Sequence, residues 1–178
     1  MNSADGVYFR RDDYASFWLR LLVDVIDFLI FGAVCLALAV TVFVVFRHTR
    51  MILNLMLTAC STLAFCYFVV LKRSTVGTLG FRIGKVKVVG IDGRRADWFG
   101  LIVRLLFGVL GPLNWLMDLL WLSGDTHRQA LRDKFTGTYV VKRLAEPAGT
   151  GKVVYRSYDI VGLNFVFREV EIPSSASA

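Results

Sequence analysis

The chain has 178 residues, of which 56% are hydrophobic and 13% aromatic, with a mean hydropathy of +0.57 and a formal net charge of +7. Soluble domains are less apolar than this, so the composition excludes an ordinary water-soluble fold and indicates an integral membrane protein. The basic balance does not indicate nucleic acid, because the Lys and Arg residues flank apolar runs without the interleaved stacking aromatics of a binding groove; they mark membrane sidedness and meet anionic lipid headgroups.

Residues 1–16 read as a cytoplasmic N-terminal tail carrying Arg10 and Arg11. Two apolar runs follow, placing transmembrane spans at about 18–46 and 51–71, each long enough to cross a hydrocarbon core about 30 Å thick. Asp24 and Asp27 inside the first run, and a second span close behind it, predict a retained anchor rather than a cleaved leader. Cys35, Cys60 and Cys66 fall in the apolar runs and act there as small hydrophobes. His48 and His127 are isolated, and no phosphate-cradling Gly loop, nucleophile elbow or paired-carboxylate site is visible. The chain therefore reads as no enzyme, with no metal and no cofactor.

Lys72, Arg73, Arg82, Lys85, Lys87, Arg94 and Arg95 make 72–97 a basic loop, within which Ile83 to Val89 alternates as a strand before the turn residues Asp92-Gly93. The Gly77 to Gly84 stretch reads as turns that let the chain leave the membrane surface. A third apolar block, 98–122, is interrupted at Gly108-Val-Leu-Gly111-Pro112, which leaves pieces too short to span. One crossing here would put the basic loop and the basic residues Arg128 to Arg143 on opposite faces, against the positive-inside rule. A broken, re-entrant helix pair returns both to the cytoplasm. Thr126-His-Arg-Gln129 then opens a short helix to Phe135, Gly137 closes it, and Thr138 to Lys142 forms a strand whose simplest partner is the first one. In the C-terminal tail, 144–178, the runs Lys152 to Tyr158 and Asn164 to Ile172 read as a β-hairpin before a disordered Ser/Ala end. The predicted fold is an all-α membrane protein with small cytoplasmic β elements: two transmembrane helices plus the Gly/Pro-broken pair. Three transmembrane helices are the alternative.

Four motifs in order carry a family resemblance. Phe17-Trp18-Leu19-Arg20 is followed by Asp27; Gly77-Thr78-Leu79-Gly80 leads into Gly84 to Val89 and Asp92-Gly93; Arg104 comes next; and Asp125 precedes Leu131-Arg-Asp-Lys-Phe-Thr-Gly-Thr-Tyr-Val-Val141. Over about residues 15–143 this resembles the RDD family of small integral membrane proteins, named for one arginine and two aspartates. The resemblance assigns those roles to Arg20, Asp27 and Asp133. Phe81 stands where the family often has lysine, and Arg132 where histidine is frequent. Membrane location is implied, and transport, including cation/proton exchange, is suspected for the family without one shared activity.

Arg20, Asp24 and Asp27 fall on one helix face, with Asp27 about 13 Å below the Phe17-Trp18 interface. Ionisable groups at such depth face protein or a polar cavity. The sequence suggests that Arg20 pairs with Asp24, that Arg104 meets Asp27, that Asp118 is a further buried acid needing a partner, and that Asp133 ties the short helix to Arg20. This charge network, Arg20, Asp24, Asp27, Arg104, Asp118 and Asp133, predicts a proton-coupled cation or small-solute transporter or, alternatively, a non-transporting membrane scaffold or assembly partner. Expected surroundings are the lipid bilayer of the cytoplasmic membrane with the N-terminus inside, a second copy of the chain, and a protein partner on the C-terminal tail. Gly32, Gly108 and Gly111 offer small helix surfaces, though they form no GxxxG pattern.

Overall fold

The computed structural model describes residues 5–46, 51–109, 118, 121, 129–160 and 163–172. Strand β1 (Asp5–Tyr8) precedes the long helix α1 (Phe17–Phe46), and α2 (Ile52–Phe65) continues without interruption into a π-helical turn, Cys66–Leu71. Then come α3 (Leu79–Ile83), β2 (Val86–Gly90), α4 (Trp98–Val109), α5 (Leu131–Thr136), β3 (Thr138–Lys142), β4 (Gly149–Ile160) and β5 (Leu163–Val170). The helices Phe17–Phe46 and Ile52–Leu71 are long and apolar enough to cross a membrane.

The pattern of exposure in α1 is that of a lipid-facing helix. Leu29, Leu36 and Phe43 are exposed, whereas the buried positions are Arg20, Val23, Asp27 and Val42. The first three recur at helical spacing, so a polar stripe faces the protein and the apolar surface faces outward.

Strand content reaches 24%, more than small β elements appended to an all-α protein. β2 and β3 pair antiparallel, Val86 opposite Lys142 and Gly90 opposite Thr138. Both faces of this ribbon are covered, as the alternation of a strand permits. Val86, Val88 and Val140 pack with Val23 of α1, Val69 of the π turn, Phe81 and Leu101 of α4. Val89, Tyr139 and Val141 face the opposite cluster with Val7, Phe9, Tyr14 and Val170. Rings of Phe9, Tyr14 and Tyr139 meet edge to face, and the Phe9 amide donates to the Tyr14 hydroxyl at 3.1 Å. The N-terminal segment is thus part of the core rather than a loose tail. A second sheet has the order β1-β4-β5, all antiparallel. β4 is longer than its alternating run suggested, β5 ends at Val170 rather than Ile172, and the hairpin pairs with the opposite end of the chain.

Two local readings change. Residues 79–83 form a helix instead of turns, and β2 starts at Val86 rather than Ile83. Thr78 caps α3, its hydroxyl accepting from the Phe81 amide, and no Pro or β-branched run opposes the turn. The short helix before β3 begins at Leu131; Ala130 is its N-cap residue, and Gly137 ends it in the left-handed conformation at φ 59°. Residues 126–128 and most of the 108–112 break lie outside the described residues.

Candidate functional site: a buried arginine and aspartate network

Asp133 sits in the first turn of α5 and is fully buried. One carboxylate oxygen accepts from Arg20 of α1, the other from Arg104 of α4. Arg104 also donates to the Thr138 hydroxyl at 3.0 Å, and Arg20 donates to the Ala15 carbonyl at 3.0 Å. The Ala130 amide donates to Asp133 at 3.2 Å, so the same carboxylate closes the N-terminus of α5. Burial alone would raise the Asp133 pKa, but Arg104, Arg20 and Arg132 hold it well below the usual carboxylate range.

Arg132, the neighbouring residue, serves the other half of the cluster. Its guanidinium lies 2.5 Å from Asp24 of α1 and 3.0 Å from Asp118, and its backbone amide donates to Asp118 at 3.1 Å. Burial opposes its charge, yet Asp24 and Asp118 together raise its pKa. Three arginines and three aspartates, all largely buried, therefore compensate one another.

Asp27 stands apart from this exchange. It is fully buried and accepts from the Tyr67 hydroxyl at 2.9 Å, the Thr78 hydroxyl at 2.6 Å and the Gly80 amide at 2.8 Å. The π-helical turn contributes Tyr67, and α3 contributes the other two donors. Such turns often mark functional positions. A Cβ on Gly80 would meet the Val23 carbonyl at 2.4 Å and Asp27 Oδ1 at 2.7 Å, and one on Gly84 would meet Val23 Cγ2 at 2.4 Å. Close approach of α3 to α1 thus requires glycine at both, one turn apart.

Two expected pairings are corrected. Arg20 does not pair with Asp24: a helical side chain leans toward the N-terminus, which takes Arg20 to Ala15 and Asp133 and leaves Asp24 to Arg132. Arg104 does not meet Asp27, because Asp133 and Thr138 hold the guanidinium while neutral donors from α3 and the π turn surround Asp27. Asp118 finds Arg132, and Asp133 reaches Arg20. Sequence reasoning missed Tyr67, Thr78, Gly80 and Arg132 as members of the site. A legible trace was the Gly80-Phe-Arg-Ile-Gly84 spacing, a small-xxx-small pattern outside the apolar blocks where such patterns are sought.

A cavity of about 80 Å³ lies beside the network, its lining including Asp24, Lys72, Arg104 and Arg132 together with Phe28, Phe31 and Phe68. The Lys72 ammonium sits 4.4 Å from the centre of the Phe81 ring. Burial pushes its pKa down to about 8, against the attraction of Asp24. Among the described residues no cluster of His, Cys, Asp and Glu could hold a metal ion.

The sequence pattern of the RDD family matches residues 14–137, which contain α1 through α5 and every charged member of the network. The chain belongs to the RDD family. Comparison with curated proteins and with solved structures gives no match. Arg20 and Asp133 touch in this protein, whereas Asp27 serves a separate contact.

Proposed function

We propose that this RDD protein is a membrane scaffold of the cytoplasmic membrane, in which the arginine and aspartate network latches a transmembrane helix pair onto a juxtamembrane β module. The observation that carries this reading is the double engagement of Asp133, which joins α1, α4 and α5 through one carboxylate, while Arg104 also bonds Thr138 at the start of β3. Pairing of β2 with β3 supports a block between them that enters the membrane and returns to the same face. The Ala15 amide donates to the Val140 carbonyl at 2.9 Å, which favours the N-terminus on that face, and the basic residues there favour the cytoplasmic side. Neutral donors satisfy Asp27 and cations satisfy the other acids, as a fixed assembly needs. Unfolding of the full chain in detergent tests the latch: Asp133→Asn and Arg104→Gln should both destabilise, and losses that simply add would refute a shared network.

A second reading, movement of protons, cations or small solutes, is favoured by the cavity at Asp24 and Lys72, where an acid and an amine with a pKa of about 8 line one mostly apolar space. Vesicles carrying the protein under an imposed pH or sodium gradient should then show flux that Asp24→Asn abolishes. Flux that is absent, or indifferent to that change, removes this reading.

A further inference from the structure

A second cavity, about 280 Å³, opens where the second span ends, enclosed by the loop after Leu71, β2, the start of α4 and Arg143 beyond β3. Five cationic side chains line it, Lys72, Arg73, Lys87, Arg95 and Arg143, and the described lining contains no carboxylate. Three of them are positioned by neutral groups. Arg73 donates to the Ala96 carbonyl at 3.3 Å and lies 4.5 Å over the Trp98 ring; Lys87 donates to the Ala145 carbonyl at 2.8 Å; Arg143 donates to the Thr75 carbonyl at 3.1 Å. Carbonyls orient these cations without neutralising them, and none of the five pairs with a carboxylate among the described residues. A concave surface lined by one sign of charge focuses potential and attracts the opposite sign. Guanidinium forks fit phosphate oxygens two at a time.

Depth narrows the class of anion. Lys72 directly follows the last residue of the second span, and Trp98, exposed at the head of α4, is the residue type found at the headgroup level. With the second span ending at Leu71, the cavity is level with lipid phosphates. We propose that this cavity is a phosphate-binding site, filled in the membrane by the headgroup of an anionic phospholipid held by Arg73, Lys87, Arg95 and Arg143. The site is independent of whether the buried network moves anything.

The neighbouring arginines 94 and 95, both exposed, supply an internal control, since Arg95 lines the cavity whereas Arg94 is not part of the lining and faces Asp92 at 3.9 Å. The full chain in detergent is titrated with phosphatidylglycerol, with phosphatidylcholine and with inorganic phosphate, and bound molecules are counted by native mass spectrometry. One phosphatidylglycerol should bind saturably, with phosphatidylcholine much weaker; Arg95→Gln or Lys87→Gln should weaken it about fivefold each, and Arg94→Gln should change it less than twofold. Saturable binding of inorganic phosphate with the same dependence on Arg95, and no preference among lipids, supports the phosphate site with a soluble source. Equal weakening by Arg94→Gln and Arg95→Gln, or uptake without saturation, overturns the site and leaves only diffuse attraction.

Discussion

Replacement of Asp133 by Asn is the sharpest perturbation of the latch, because one carboxylate answers two buried arginines and also closes the N-terminus of α5. The side chains of Arg20 and Arg104 are 5% and 6% exposed, so neither can turn to water when its partner becomes neutral. Breaking a buried pair from one side costs about 3–5 kcal/mol, and loss of the charge at the helix start adds up to about 1 kcal/mol. A loss of about 4 kcal/mol lowers the midpoint of thermal unfolding on the order of 10 °C for a chain of this size. Thermal and denaturant unfolding in detergent, followed by circular dichroism, measure it. Asp133→Asn, Arg20→Gln and their double variant complete a cycle, with expected coupling of about 1–3 kcal/mol. The acid limb provides a separate readout. Asp133 has a folded pKa below its ordinary 3.8, so its stabilisation is present above about pH 4 and is lost as the pH falls toward the folded value. The variant should lack that contribution. Additivity within about 0.5 kcal/mol, or an unchanged acid limb, would refute the reasoning. Replacing Arg20, Arg104 and Asp133 together by Met, Met and Leu should recover much of the loss, since buried ionic clusters give specificity more than net stability.

Gly80→Ala should destabilise by about 2 kcal/mol or more in the same assay, because its Cβ would strike the Val23 carbonyl and Asp27, both fixed; a neutral outcome would show that α3 can lift off α1 freely. Tyr67→Phe should cost about 1–2 kcal/mol and couple with Asp27→Asn, as the hydroxyl and carboxylate are 2.9 Å apart; independent effects would remove Tyr67 from the Asp27 site. Lys72 has a folded pKa of about 8 against an ordinary 10.5, so the unfolded chain binds more protons between those values and stability should rise with pH across that window. Lys72→Met should abolish this rise and stabilise the protein at pH 7 by up to about 3 kcal/mol; a retained rise would assign it to another group.

The two long apolar helices and the β2–β3 and β4–β5 pairings were legible because hydropathy and alternation report what each residue meets locally. α1 and α2 follow from uninterrupted apolar runs, and β2 with β3 from two alternating segments short enough to require each other. The partners of Arg20 and Asp27 were less legible. Arg20 and Asp24 share a helix face, but which neighbour each reaches depends on the lean of the side chain and on elements more than 100 residues away. Tyr67 reaches Asp27 from the π turn, a departure from 3.6-residue periodicity that the sequence of Cys66 to Leu71 does not announce. α3 was hidden by its glycines, which usually mark turns and here permit contact. The pairing of β1 with β4 joins residues near opposite ends of the chain, and neither strand alone specifies that choice.

Arg20 emerges from the ribosome 113 residues before the aspartate that neutralises it. At synthesis rates of about 5–20 residues per second, the first helix waits roughly 5–20 seconds with its cation unanswered. During that interval Arg20, three residues inside the start of α1, can stay hydrated only by reaching back to the headgroups, so α1 settles into its final place once α5 is made. A chain truncated before Leu131 should therefore leave α1 short of that place and be degraded, so that completion of synthesis itself becomes the checkpoint for final seating in the bilayer.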